Sequence, residues 1–278
     1  MPRLLTALLV LFTLAAVGGL AFALSAGPDD AAPSAAAERT GTAPAADAHP
    51  VVIELFTSQG CSSCPPADRL LTELAEDPAL AGRVLPLSFH VDYWNHIGWS
   101  DPFSSERWSQ RQRAYAEVLD GRVYTPELVV AGRAGMAGSR RGEVRAAVRE
   151  ALARQPAARV EIALGEAADG RLPVTASARM LADADGSQEL WVALWQDELV
   201  TEVGRGENGG RTLRNDRVVR QLVRAAELAG ASGSETSGRA VLAVDGSWPR
   251  SDLGVVAFVQ DADGKAIHGA AGARLAGE

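Results

Sequence analysis

The sequence is short of cysteine, histidine and aromatic residues: 278 residues hold 2 Cys, 4 His and 5% Phe, Trp and Tyr. Two cysteines exclude a disulfide-stapled mini-scaffold, so the chain must bury conventional cores, for which its 47% apolar content is sufficient. It also lacks an excess of positive charge. With 27 Lys and Arg against 35 Asp and Glu the net charge is −8, which argues against a nucleic-acid backbone as partner, since phosphates are bound by clustered cations. Structural zinc needs four ligands, and there is no second cysteine pair to join Cys61 and Cys64, only His49, His90, His96 and His268.

Long hydrophobic runs are scarce too. The one example, Leu4 to Leu24, follows Met1-Pro2-Arg3 and ends near the small residues Ala21, Ala23, Ser25 and Ala26, the layout of a secretory signal over residues 1–26. At about 20 residues it is also long enough to stay as a membrane anchor. Both readings export the body of the chain to the periplasm or cell envelope. Residues 27–49 are rich in Ala and Pro without an apolar period and read as a linker. The remaining length suggests two domains, over 50–156 and 157–278.

What is there is concentrated around one Cys-x-x-Cys unit. Closing so short a loop stabilises little, so the pair is expected to be chemical rather than structural. The run Val51 to Phe56 suits a buried strand, Thr57 to Gly60 a loop, and Pro65-Pro66 the first turn of a helix carrying Leu70, Leu71 and Leu74. Cys61 therefore stands just before a helix N-terminus, where free backbone N–H groups and the macrodipole favour a thiolate, and it is the candidate nucleophile. Val84 to Val91 is the next strand, followed by a helical insertion over Ser104 to Leu119, strands at Glu127 to Ala131 and Ala134 to Ala137, and a helix from Arg140 to Arg154. The order is β-α-β, insertion, β-β-α.

These residues resemble the thioredoxin fold, and more narrowly the exported thioredoxin-like DUF1223 family. The likeness rests on Val52 to Leu74, on Ser88-Phe89-His90-Val91-Asp92-Tyr93-Trp94, and on Val123-Tyr124-Thr125-Pro126. It implies that Cys61 attacks and Cys64 resolves the mixed disulfide. It implies that Pro126 is a cis-proline beside the sulfurs, that Thr125 offers its backbone to substrate, and that Glu54 is the buried acid near the resolving thiol. Gly60 rather than Trp precedes Cys61, so an aromatic cover must come from elsewhere. His90, Asp92 and Trp94 are expected to form a substrate-facing rim.

From about Ala157 the pattern alternates apolar and polar residues between Asp-Gly turns, which predicts a β-rich sandwich; Arg217 to Leu228 fits helix or strand. Gly204-Arg205-Gly206-Glu207-Asn208-Gly209 matches a dinucleotide fingerprint only formally, because no apolar helix follows. It reads as a hairpin loop, with Arg205, Glu207 and Arg211 available for a polar contact with the first domain.

The sequence thus points to an extracytoplasmic thiol–disulfide oxidoreductase exchanging with protein or small-molecule thiols and disulfides, with no cofactor beyond its own dithiol. Two alternatives stand beside it: a Cu(I)-handling module using Cys61, Cys64 and His90 or His96, and a non-catalytic interaction platform with a locked disulfide.

Overall fold

The structure is a computed structural model that describes residues 49–119 and 121–276. The signal or anchor expected at 1–26 and all but the last residue of the linker expected at 27–49 lie outside the described residues.

β1 (Val51–Thr57) is buried at every position, as its continuous apolar run requires. α1 (Pro65–Glu76) carries its two prolines in the first turn, where the missing N–H groups have no helical acceptor to lose, and buries Leu70, Leu71 and Leu74. β2 (Val84–His90) returns parallel to β1, with Val51 opposite Val84 and Thr57 opposite His90. A 3₁₀ turn at Asn95–Ile97 leads to α2 (Glu106–Val118), capped by Ser105, whose Oγ accepts from the Arg107 N–H at 3.3 Å. β3 (Glu127–Val130) runs antiparallel to β1 and forms a hairpin with β4 (Ala134–Ala137), and α3 (Arg141–Ala153) follows. The expected order of elements is therefore present.

The rest of the chain is strand: β5 (Ala158–Leu164), β6 (Arg171–Met180), β7 (Ser187–Gln196), β8 (Leu199–Val203), β9 (Arg211–Asn215), β10 (Val218–Ala229), β11 (Glu235–Ala243), β12 (Leu253–Asp261) and β13 (Ile267–Arg274). The stretch that fitted either helix or strand is β10.

One finding departs from two self-contained domains divided at 156/157. A single eight-stranded mixed sheet runs β13-β12-β7-β10-β2-β1-β3-β4, so strands from both halves share it. The physical reason is the edge of β2. All seven residues of β2 are buried, and without β10 beside it, joined through Val218 opposite Ser88, its backbone would be an open edge. A second, three-stranded sheet, β11-β6-β5, shares a core with the β-rich part of the large sheet, with β11 beside β10 and β5 beside β13.

Alternation along β7 shows how the cores divide. Leu190, Val192 and Leu194 enter the core shared with the small sheet, whereas Trp191, Ala193 and Trp195 enter a core with Trp108 and Tyr115 of α2. A third core joins Ile53 and Leu55 of β1 to α1 and α3.

Candidate functional site

Cys61 and Cys64 are joined as a disulfide with Cα atoms 5.5 Å apart, at the carboxyl end of β1 and the head of α1. Cys64 is the N-cap residue of α1: its carbonyl accepts from Ala67 N at 2.8 Å and Asp68 N at 3.1 Å. The Cys61 Sγ has Ser63 Oγ at 3.3 Å. Both cysteines are completely buried.

Thr125–Pro126 is a cis peptide. The register that places Phe56 opposite Glu127 brings it to the level of Thr57, where the dithiol loop leaves β1. Thr125 Oγ1 accepts from the Trp94 indole N–H at 2.7 Å. Trp94 in turn lies against Gly60 so closely that a Cβ there would come within 3.2 Å of the Trp94 Cβ. Trp94 thus lies against the residue that precedes Cys61, and a glycine there leaves room for it.

Behind the disulfide lies a buried polar cluster. Asp68, one turn beyond Cys64, accepts from Thr57 Oγ1 at 2.8 Å, and burial pushes its carboxyl up to about 6 against the pull of His90 and Thr57. His90 Nδ1 lies 2.7 Å from Asp101 Oδ2, and its Nε2 is buried without a hydrogen-bond partner. Burial favours neutral His90, but the Asp101 and Asp68 carboxylates outweigh it and hold the imidazole above its ordinary value. Asp101 is held low against burial by His90 and by the backbone N–H groups of Gln59 and Phe103.

Two sequence expectations need correction here. Glu54 is not the acid on the dithiol side of the sheet. Its neighbours Ile53 and Leu55 pack against α1, so by the two-residue period Glu54 faces the other way. There it pairs with Arg111 Nε at 2.7 Å and accepts from the Tyr115 hydroxyl. Arg111 and Tyr115 also bond Gln260, so this buried cluster ties β1 to α2 and β12. His90, for its part, is fully buried and cannot form a rim. Asp92 is partly exposed and bonded by Ser109, whose Oγ donates to it at 2.5 Å, and the half-buried Trp94 lies against Gly60 of the dithiol loop. His96, the other Cu(I) candidate, is exposed with Nδ1 on the Tyr93 carbonyl. Among the described residues no three His, Cys, Asp or Glu side chains are grouped to hold a metal ion.

Asp68, Asp101 and Asn208 carry no role in the sequence expectations. Asp68 had a signal, because four residues after Cys64 is the same face of a helix. The others had none, since loops and the distant β8–β9 hairpin bring them in. The Gly204 to Gly209 segment is indeed the turn of that hairpin, and Glu207 Oε2 accepts from Ser62 N at 2.9 Å. A cavity of 310 Å³ lies at the opposite, amino end of β1, lined by Val52, Arg133, Arg154 and His268 among others, and contains none of the cysteine chemistry.

Comparison with known proteins places this arrangement among relatives. A family model described as "Protein of unknown function (DUF1223)" matches residues 52–260. No curated protein matches the chain. Among solved structures, the protein AGR_C_4864 of Agrobacterium tumefaciens is similar at 26% identity and TM-score 0.60, covering 83% of this chain and 96% of that one. HBP35 of Porphyromonas gingivalis is similar in fold at 19% identity and TM-score 0.61, over 82% of this chain and 76% of that one.

Proposed function

The chain belongs to the DUF1223 family of proteins of unknown function, and from that premise we propose that it is an extracytoplasmic thiol–disulfide oxidoreductase working through Cys61 and Cys64. The observation that carries the reading is the paired dithiol at the head of α1 and the carboxyl end of β1, backed by the buried acid Asp68. The segment from β1 to α3 is read as a thioredoxin-like unit built into the larger sheet.

In the reduced protein the Cys61 thiolate, favoured by the N-terminus of α1, attacks one sulfur of a substrate disulfide. The old S–S bond breaks, a mixed disulfide forms, and the first substrate sulfur leaves and takes up a proton. Cys64 then attacks the Cys61 sulfur, the second substrate thiol leaves, and the protein disulfide closes. Two electrons pass from the protein dithiol to the substrate, and the reverse sequence oxidises a substrate dithiol. Asp68, its carboxyl raised to about 6 by burial, accepts the Cys64 proton in place of Glu54. Export is supported by the Leu4 to Leu24 run and is compatible with the Cys61–Cys64 disulfide, and it would place the protein in the periplasm or cell envelope.

Disulfide exchange by the purified protein is the test. Cys61→Ala is expected to abolish it, and Cys64→Ala to trap the mixed disulfide with substrate; exchange that persists undiminished in Cys61→Ala would rule out this role.

A further inference from the structure

The loop that carries the two buried cysteines is bonded by a part of the chain far downstream, Ser62 and Glu207 being 145 residues apart. β8 and β9 pair only with each other among the described strands, and their turn reaches over the dithiol loop. Asn208 is completely buried there and spends both amide hydrogens on that loop, donating to the carbonyls of Gln59 and Cys61 at 2.9 Å each. Its own Oδ1 accepts from Arg211 at 2.9 Å, which fixes the carboxamide's orientation. Glu207 holds the Ser62 N–H. Trp99 packs under Gly206 and donates to the Gln59 side chain at 3.2 Å.

The base of the hairpin is pinned to α1 and, through Gln59 Nε2 donating to Asn215 Oδ1 at 2.9 Å, to the start of the dithiol loop. Thr72 of α1 donates to Asp216 at 2.8 Å, and Arg214 pairs with Glu76. Between base and contact point the turn carries four glycines, with Gly206 and Gly210 at φ of 74° and 79°, where other residues are strained. A fixed base, a glycine-rich tip and a small set of tip contacts describe a part that can lift as a unit.

We propose that the Gly204–Gly210 tip is a displaceable cap on the Cys61–Cys64 disulfide, with Asn208 as its clasp and Arg211 as the residue that positions the clasp. While closed it denies Cys61 to any external thiol or disulfide. Exchange starts only after the Asn208 carboxamide releases the Gln59 and Cys61 carbonyls. The inference builds on the exchange reading for its purpose, whereas the closure follows from geometry.

The test is reduction of the oxidised full-length protein by a water-soluble phosphine, with released thiols trapped by alkylation over time. Phosphorus attacks one sulfur, the S–S bond breaks, and water converts the phosphonium to phosphine oxide, so two electrons pass and two thiols form. For the natural protein the rate is expected to level off as phosphine is raised, because lifting of the cap becomes limiting. Asn208→Ala, which loses both hydrogen bonds to the dithiol loop and the one from Arg211, should raise the rate at least about tenfold, and Arg211→Ala or Glu207→Ala about threefold. Arg211 and Glu207 are exposed, so these variants keep the fold and carry the test if Asn208→Ala does not fold. Faster reduction at unchanged Tm supports the cap. A rate linear in phosphine and equal in all variants, or rates that simply follow Tm, would overturn it. Because phosphine reduction reads access alone, it is separable from the exchange assay: a capped protein without exchange activity sinks the functional reading and leaves the cap.

Discussion

Asp68 shows what one buried carboxyl does for both stability and chemistry. Its folded value of about 6 stands above the ordinary 3.8 because burial penalises the charge. Between those values the folded state binds more proton than the unfolded one, so stability falls as pH rises through this window, and the full cost is present above it. Asp68→Asn is therefore expected to stabilise the protein at pH 7.5 by up to about 3 kcal/mol, with the difference shrinking as pH falls from 6 toward 4. Thermal unfolding across that range measures it, and a destabilised variant at pH 7.5 would contradict it. The same substitution should slow closure of the Cys64 step. The resemblance to thioredoxin implied Glu54, which lies upstream of Cys61 on the strand leading to the dithiol. The strand's two-residue alternation turns it away from α1 to Arg111, while the helix's four-residue spacing brings Asp68 under Cys64. The cysteines were legible because one strand–loop–helix places them locally, and Thr125 and Pro126 came with the resemblance to thioredoxin; Asn208 and Asp101 were not legible, because only tertiary packing brings them in.

Elements were legible where the apolar pattern was unambiguous, as in β1, α1 and α3. β10 was not. Its sequence, VVRQLVRAAELA, alternates poorly and is rich in helix formers, yet it is a strand because β2 and β7 offer it two edges. Register shifts between Val219 and Gln221 and between Arg224 and Ala226 reconcile the irregular pattern with the sheet, sending Val219 and Leu222 to one core and Leu228 to another. The two sheets close on each other where glycine permits contact. A Cβ on Gly238 of β11 would stand 2.3 Å from the Ala225 carbonyl oxygen of β10. Gly238→Ala is expected to cost about 1–3 kcal/mol by urea unfolding, because backbone must yield to make room. Gly246→Ala, with nothing within 4 Å, is the matched control expected to cost far less.

At the scale of the whole molecule, the alternating β-rich half looked like a second domain because its pattern is self-consistent; nothing in a strand's sequence says which foreign edge it will pair with. The structure gives the two halves a common core, in which Phe56 and Phe89 meet Trp195, Val219 and Phe258. A fragment spanning residues 49–156 is accordingly expected to lack a stable fold, since the β2 edge and that core face would be bare. Circular dichroism and dispersed amide resonances check this, and a cooperatively folded fragment would show that the shared sheet is dispensable.

The most direct measurement is the equilibrium reduction potential of the Cys61–Cys64 pair, read by alkylation across metal-free thiol buffers equilibrated long enough for the buried sulfurs to exchange. A reversible transition between about −270 and −120 mV is the result expected of an exchange enzyme. A pair that stays oxidised to below about −300 mV is a structural disulfide, and that result would contradict the proposed function.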